Sequence, residues 1–479
     1  MSGLLAKNTL YLTIASVGQK LVAFVYFLFV ARIMQPERTG QYFLTVSIAL
    51  IFSVIADFGM TPVVIREIAK SPQETPRLLS RALSLKIPLF IIAYASAIAA
   101  ALLLHYEREV VMLTMVAGLS LILDSLHLLF YGVLRGHQNL SIEATGMLTG
   151  QAVTAMVGGL SLFIHPSLLW LTFALVLGSA TNVTLSSRAL IARFGWSILK
   201  PHWNSANAKH LLSLALPFAL AAIFVKVYSY VDSLFISKFI DTTAVGIYSI
   251  AYKFTYAFQF LPLAFTAGLY PSISAALEHH PARVPHLLRR ALWYMMLIST
   301  PLVLGLWLIA NQAVVLAGSA YRASGPVLSL LVFVLIPIFL DFPIGSLLNA
   351  GNRQTTKTII MGFTMVINIL LNAVLVPKIG IQGAAISALL SFSFMFISGL
   401  FFIKPVIPAF RFGPSLFDAV RFGISGLFMV MVGRLLMPII GWMAIIPVCV
   451  AVYIIALVLT RLLVLNDVRK LKSLFSYGR

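Results

Sequence analysis

The chain is 479 residues long, 60% hydrophobic and 10% charged, with 34 Lys and Arg against 14 Asp and Glu, a net charge of +20. A soluble domain carries about 25% charged residues, so these proportions exclude one; at about 20 apolar residues per span, they suit an all-α polytopic membrane protein. The basic excess is read first as loop charge that orients helices, ahead of a nucleic-acid surface, and the single cysteine, Cys449, excludes an intramolecular disulfide and any multi-cysteine metal site.

Apolar runs of spanning length follow one another at 8–31, 41–64, 86–104, 110–134, 141–163, 168–190, 211–237, 244–274, 291–310, 326–349, 358–376, 382–403, 419–437 and 442–464, fourteen in all. The first is interrupted by Gln19–Lys20 and lacks a small-residue cleavage site, so it is expected to remain as a helix. With the N-terminus placed in the cytoplasm, 24 basic residues fall on inner segments. Only seven fall outside: Arg32, Arg38, Arg108, Lys238, Arg322, Lys378 and Arg434. Lys20, Lys226 and Lys253 lie within spans. The positive-inside rule then places both termini in the cytoplasm of a multi-pass cytoplasmic (inner) membrane protein. The outer loops are short, the longest near 311–325, which leaves no room for an outer catalytic domain.

The longest inner stretch, near 191–210, divides the chain into related halves. A shift of 206 residues aligns Lys20 with Lys226, Val25 with Val231, Gly40 with Gly246 and Tyr42 with Tyr248 without a gap. A weaker echo pairs Arg135–Gly136–His137 with Ala350–Gly351–Asn352. The organisation expected is a six-helix lobe over 1–205, a second over 206–405, and a helix pair with a basic cytoplasmic tail over 406–479. Six spans per repeat keep the two copies in the same orientation.

Charge inside the membrane is the informative chemistry, because a mid-helix Lys or Asp costs about 2.5–3.5 kcal/mol on insertion scales. Lys20 shares a helix face with Thr9, Thr13 and Ser16; Lys226 with Ser229, Ser233 and Ser237; Lys253 with Ser249, Tyr256 and Gln259. Thr364, Asn368 and Asn372 form a further stripe. Such stripes line a watery cavity or hydrogen-bond between helices. For the lysines the competing reading is a structural Lys–Asp pair. The intramembrane acids Asp57, Asp124, Asp232 and Asp341 are candidates for ion coupling or gating. Asp57 is expected to pair with Arg66 at the cytoplasmic mouth, and Asp124 and Asp341 stand at comparable depths in the two halves. Prolines within the spans, Pro62, Pro88, Pro217, Pro262, Pro301, Pro337, Pro343, Pro438 and Pro447, are candidate kinks. No Walker A lysine motif, HExxH spacing or Ser-His-Asp signature is present, so neither an enzyme nor a bound cofactor is expected.

Three segments, NTLYLTIASVGQKLVAFVYFLFVARIMQPERTGQYF, IADFGMTPVVIREIAK and LLSLALPFALAAIFVKVYSYVDSLFISKFIDTTAVGIYSIAYKF, resemble polysaccharide flippases of the MOP exporter superfamily. The resemblance covers nearly the whole chain. It implies two MATE-like bundles around a central cavity that opens alternately to each side. It also implies a substrate of undecaprenyl diphosphate bearing an oligosaccharide, turned from the cytoplasmic to the outer leaflet for cell-surface polysaccharide biosynthesis. The partners implied are that lipid-linked glycan, membrane lipids and other polysaccharide-assembly proteins; H⁺ or Na⁺ is the candidate coupling ion, and no nucleic acid is involved. Cationic lysines agree with an anionic diphosphate. A drug or cation exporter of the same superfamily is the alternative, but its cavity is expected to favour acids. A membrane glycosyltransferase, ligase or polymerase is a further alternative, disfavoured by the short outer loops.

Overall fold

The computed structural model describes residues 2–202 and 205–463, and among them every regular element is helical. The side chains of Lys7 and Thr9, and the tail residues Arg469, Lys470, Lys472 and Arg479, lie outside those described. The helices are α1 (Ser2–Asp57), α2 (Met60–Lys70), α3 (Thr75–Leu103), α4 (Arg108–Gly136), α5 (Ser141–Ile164), α6 (Leu168–Phe194), α7 (Ser205–Phe239) and α8 (Thr242–Tyr256). They continue with α9 (Phe260–His279), α10 (Val284–Leu308), the single turn α11 (Ala310–Ala313), α12 (Ser324–Leu331), α13 (Leu335–Ala350), α14 (Gln354–Ile379), α15 (Ile381–Phe402) and α16 (Phe412–Leu459).

Among the described residues, twelve helical segments are long and apolar enough to cross a membrane. Two of them contain a residue that is not helical: Gln35 in α1 (φ 63°, ψ 169°) and Gly441 in α16 (φ 81°, ψ 162°). Divided there, α1 has arms 2–34 and 36–57, and α16 has arms 412–440 and 442–459.

The break in α1 has a local cause. Pro36 has no N–H, so the Arg32 carbonyl loses its usual i+4 donor. The Gln35 side chain replaces it, its Nε2 donating to Arg32 O at 3.2 Å. The neighbouring Ala31 carbonyl accepts from the hydroxyl of buried Tyr321 at 3.0 Å, and the same hydroxyl lies 2.8 Å from Thr39 Oγ1. Two other prolines act more gently. Ala257–Gln259 and Val332–Val334 tighten to 3₁₀ geometry just before Pro262 and Pro337. Each tightened turn holds the carbonyl that its proline leaves without a donor.

Two compact units emerge. The first comprises Met1–Lys253, Ala317–Tyr321 and Met361–Ser387; the second comprises Phe254–Leu316, Arg322–Ile360 and Ala388–Arg479. In the first unit, Met60, Val63, Val64 and Ile68 of α2 pack on Leu79 and Leu85 of α3, Leu129–Leu134 of α4 and Ala215 of α7. The repeat-matched glycines also meet there. A Cβ on Gly40 would overlap the Thr242 carbonyl oxygen, and one on Gly246 would overlap that of Pro36. The second arm of α1 and α8 therefore cross backbone against backbone, which small residues permit. In the second unit α10 packs against α13 and α16, and α9 against α13.

Candidate functional site

The polar interior of the first unit centres on Asp232 of α7, which is 2% exposed. Its Oδ2 accepts from the Tyr248 hydroxyl of α8 at 2.7 Å, and its Oδ1 from Asn372 Nδ2 of α14 at 2.8 Å. Asn372 Nδ2 also lies 2.9 Å from Asn368 O and 3.3 Å from Asn368 Oδ1. Asn368 and Asn372 are four residues apart, so α14 presents both on one face, and both are fully buried. Among the described residues, Asn368 Nδ2 and Asn372 Oδ1 make no close hydrogen bond. A carboxylate, two amide oxygens and a phenol thus converge from three helices. These donors are neutral, and among the described residues no salt bridge joins Asp232 to a cation. Hard oxygen ligands of this kind suit a proton or an alkali or alkaline-earth cation.

Six residues before Asp232 on the same helix, Lys226 is half-buried, with its ammonium 5.7 Å from the Tyr230 ring centre. Lys253 of α8 places its ammonium 4.7 Å from the Phe27 ring centre and 5.8 Å from that of Phe43. Aromatic faces attract a cation without neutralising it. Among the described residues no salt bridge joins Lys226 or Lys253 to a carboxylate. Lys20 is half-buried on α1, which packs directly against α7. Thr13, Ser16 and Ser229 are half-buried beside these lysines on their own helices.

Several stripe hydroxyls are already bonded within their helices. Ser16 donates to Leu12 O at 2.7 Å, Ser233 to Tyr230 O at 2.7 Å and Ser237 to Leu234 O at 2.8 Å. Back-bonding of this kind satisfies a serine in an apolar helix, while leaving its oxygen able to accept. Tyr256 belongs to the second unit, with its ring centre 6.5 Å from that of Phe392.

The remaining acids divide differently from the sequence expectation. Asp57 does not pair with Arg66. Its partners are Lys86 Nζ at 3.0 Å and the Thr61 hydroxyl at 2.6 Å. The reversal at Phe58–Gly59 (φ 45° and 67°) begins α2 in a new direction and leaves Arg66 44% exposed, where it pairs with Glu67 at 2.9 Å. Lys86 is wholly buried and also reaches Ser125 Oγ (2.6 Å), Ser125 O (3.0 Å) and Ala56 O (3.3 Å). Asp341 is engaged by Lys357 Nζ, 2.6 Å from both oxygens. Asp124 accepts from Ser179 Oγ at 2.5 Å and faces His127 Nε2 at 3.2 Å. Its side chain is 43% exposed against 9% for Asp341, so similar depth in sequence does not give similar surroundings.

Lys86 and Lys357 are the site-forming residues that sequence reasoning missed, because both sit at the edge of an apolar run and read as loop cations. Tyr248 carried a signal, as the match of Tyr42 in the repeat, but its role as a carboxylate donor had none.

Among known proteins, the family model described as "Polysaccharide biosynthesis protein" matches residues 5–277, and the MatE model matches 217–374. The probable low-salt glycan biosynthesis flippase Agl15 of Haloferax volcanii is 23% identical over 393 residues, 81% of each chain. The lipid II flippase MurJ in an inward closed conformation superposes with a TM-score of 0.74 at 15% identity, covering 94% of this chain and 98% of that one. An inward-facing multidrug resistance MATE family transporter of the MOP superfamily gives 0.70 at 15% identity, covering 82% and 95%.

Proposed function

Because this chain belongs to the polysaccharide biosynthesis protein family of the MOP superfamily, we propose that it is a flippase for a lipid-linked glycan. It turns an undecaprenyl-diphosphate-linked oligosaccharide from the cytoplasmic to the outer leaflet by alternating access, for polysaccharide assembly. The chain resides in the cytoplasmic membrane as fourteen spans with both termini inside, and the repeat lobes 1–205 and 206–405 are its moving parts. The helix pair of residues 406–479 lies outside those lobes.

The observation that carries this reading is the contrast among the intramembrane lysines. Lys86 and Lys357 are bonded directly to carboxylates, whereas among the described residues Lys226 and Lys253 form no salt bridge and rest against aromatic rings, the charge of Asp124 reaching Lys226 only from a distance. An ammonium kept out of water without a directly bonded counter-charge is costly. It is stabilised when an anion arrives, and a diphosphate supplies one. Lys20 and Lys226, matched in the repeat, are the proposed diphosphate ligands. Lys253 is the third cation, and Thr13, Ser16, Ser229 and Asn368 are proposed to contact sugar or diphosphate oxygens.

No nucleotide motif lies in the sequence, so the drive is an ion gradient, the membrane potential or product consumption. An inside-negative potential favours outward movement of an anion by about 2.3 kcal/mol per charge per 100 mV. Asp232 with Asn368 and Asn372 is the proposed site of a coupling H⁺ or Na⁺. Asp57 and Asp341, both lysine-bound, act as structural or gating groups.

The test is reconstitution of the purified chain in proteoliposomes loaded either with the lipid-linked oligosaccharide or with a cationic dye, and a leaflet-accessibility assay. The glycan lipid reaches the opposite leaflet and the dye is not moved. Dye transport without glycan movement would identify a cation exporter instead.

A further inference from the structure

In the second unit, the first turns of α10, the first turns of α16 and the residues just past the end of α16 enclose a cavity of about 230 Å³. Four arginines line it: Arg289, Arg290, Arg421 and Arg461, with Asp418 and Trp293 beside them. Asp418 is engaged by Arg289, Nη2 to Oδ2, at 3.1 Å. Arg290 lies 5.7 Å from the Tyr294 ring centre and donates to the Tyr294 hydroxyl at 3.3 Å. Arg421 lies 4.1 Å over the Phe417 ring. Among the described residues, no carboxylate pairs with Arg290, Arg421 or Arg461.

Among the described residues, one carboxylate therefore faces four guanidiniums brought together from positions 289 to 461. Like charges gathered in a small cleft repel one another, and an anion relieves that repulsion. The Phe417 ring attracts the Arg421 guanidinium, and Arg290 spends one N–H on the Tyr294 hydroxyl, so most of the N–H groups of the cluster remain for a ligand. The paired N–H groups of a guanidinium suit the paired oxygens of a phosphate. The three stretches are helix ends, and by the charge distribution of the sequence they belong to the inner face. Trp293 adds the amphipathic ring favoured at the membrane–water boundary. We propose that this cleft binds the headgroup phosphate of an anionic phospholipid of the inner leaflet, as basic pockets between membrane helices do. The bound lipid ties α10 to both ends of α16, the helix pair outside the sequence repeat. The inference stands apart from the flippase reading, because its readout is lipid retention and not transport.

The experiment uses the full chain in nanodiscs of equal parts phosphatidylcholine and phosphatidylglycerol, followed by detergent extraction and quantification of co-purifying lipid. The wild-type chain retains phosphatidylglycerol over phosphatidylcholine. Arg461→Gln lowers that preference about fivefold, and Arg290→Gln/Arg421→Gln/Arg461→Gln removes it. Arg77→Gln/Arg81→Gln, which removes inner-face charge elsewhere, leaves it intact. A photoactivatable phosphatidylglycerol on the wild-type chain labels peptides of α10 and α16, which keeps the test decisive if the triple variant does not accumulate. Equal retention of the two lipids, an unchanged preference in Arg461→Gln, or labelling confined to other helices overturns the proposal. Displacement of the labelled lipid by equimolar undecaprenyl diphosphate also overturns it, assigning the cleft to the transported lipid.

Discussion

Replacing Lys86 by Met tests the interior logic of the first unit. The ammonium is wholly buried and bonded to Asp57 Oδ1, Ser125 Oγ and two backbone carbonyls, at 2.6–3.3 Å. Methionine fills similar volume but donates nothing. Removing one partner of a buried ion pair costs 3–5 kcal/mol as a rule. The lower end applies here, because the Asp57 side chain is 22% exposed and keeps the Thr61 hydroxyl. Lys86→Met should therefore destabilise the folded protein by about 3 kcal/mol. Lys86→Met/Asp57→Asn removes the stranded charge and should regain about 2 kcal/mol of that loss, with the cost of Asp57→Asn alone adding to the coupling in the double-variant cycle. Equilibrium unfolding of the four proteins in one detergent measures it. A single-variant loss below about 1 kcal/mol, or a double variant no more stable than the single, would refute the claim that this pair is a structural bolt.

Other variants probe other parts of the account. Gly246→Ala drives a methyl into the Pro36 carbonyl at the α1–α8 crossing and should cost about 1–3 kcal/mol, read as lost folded yield in detergent; Gly268→Ala, whose Cβ meets open space, should not. Tyr321→Phe strips the donor from Ala31 O and should cost about 1–2 kcal/mol, seen as increased amide exchange around Gln35. Asp232→Asn removes the negative charge at the three-helix node while keeping its shape. Transport by that variant should lose its dependence on an imposed pH or Na⁺ gradient while substrate binding persists; an unchanged gradient dependence removes Asp232 from coupling.

The all-helical membrane fold was legible because long apolar runs announce themselves without tertiary context. The break at Gln35 was less so: the apolar pattern ends the first span at Ala31 and starts the second at Gln41, with a loop expected between them. Only the structure shows the carbonyls rescued by Gln35 and Tyr321. The repeat alignment found Gly40 and Gly246, yet gave no sign that the two touch each other. Charge pairing was the least legible layer. Asp57 and Arg66 are neighbours in sequence, and one reversal at Phe58–Gly59 separates them and offers Asp57 to a lysine 29 residues away. Lys357 reaches back 16 residues to Asp341 across a helix junction. Such partners depend on how helices are set side by side, which periodicity along one helix does not encode. The Asn368–Asn372 stripe was visible as a face; its focus on Asp232 required the packing of α7, α8 and α14.

The claim at the centre is that Lys20 and Lys226 carry the anionic head of a lipid-linked glycan through the membrane. The most direct measurement is the initial rate of leaflet transfer of an undecaprenyl-diphosphate oligosaccharide in proteoliposomes. It compares the wild-type chain with Lys20→Glu/Lys226→Glu and Lys20→Arg/Lys226→Arg at equal protein incorporation. The account predicts that charge reversal abolishes transfer and that the arginine variant, which keeps the charge but alters the geometry, retains part of it. Wild-type transfer rates in the glutamate variant would contradict it.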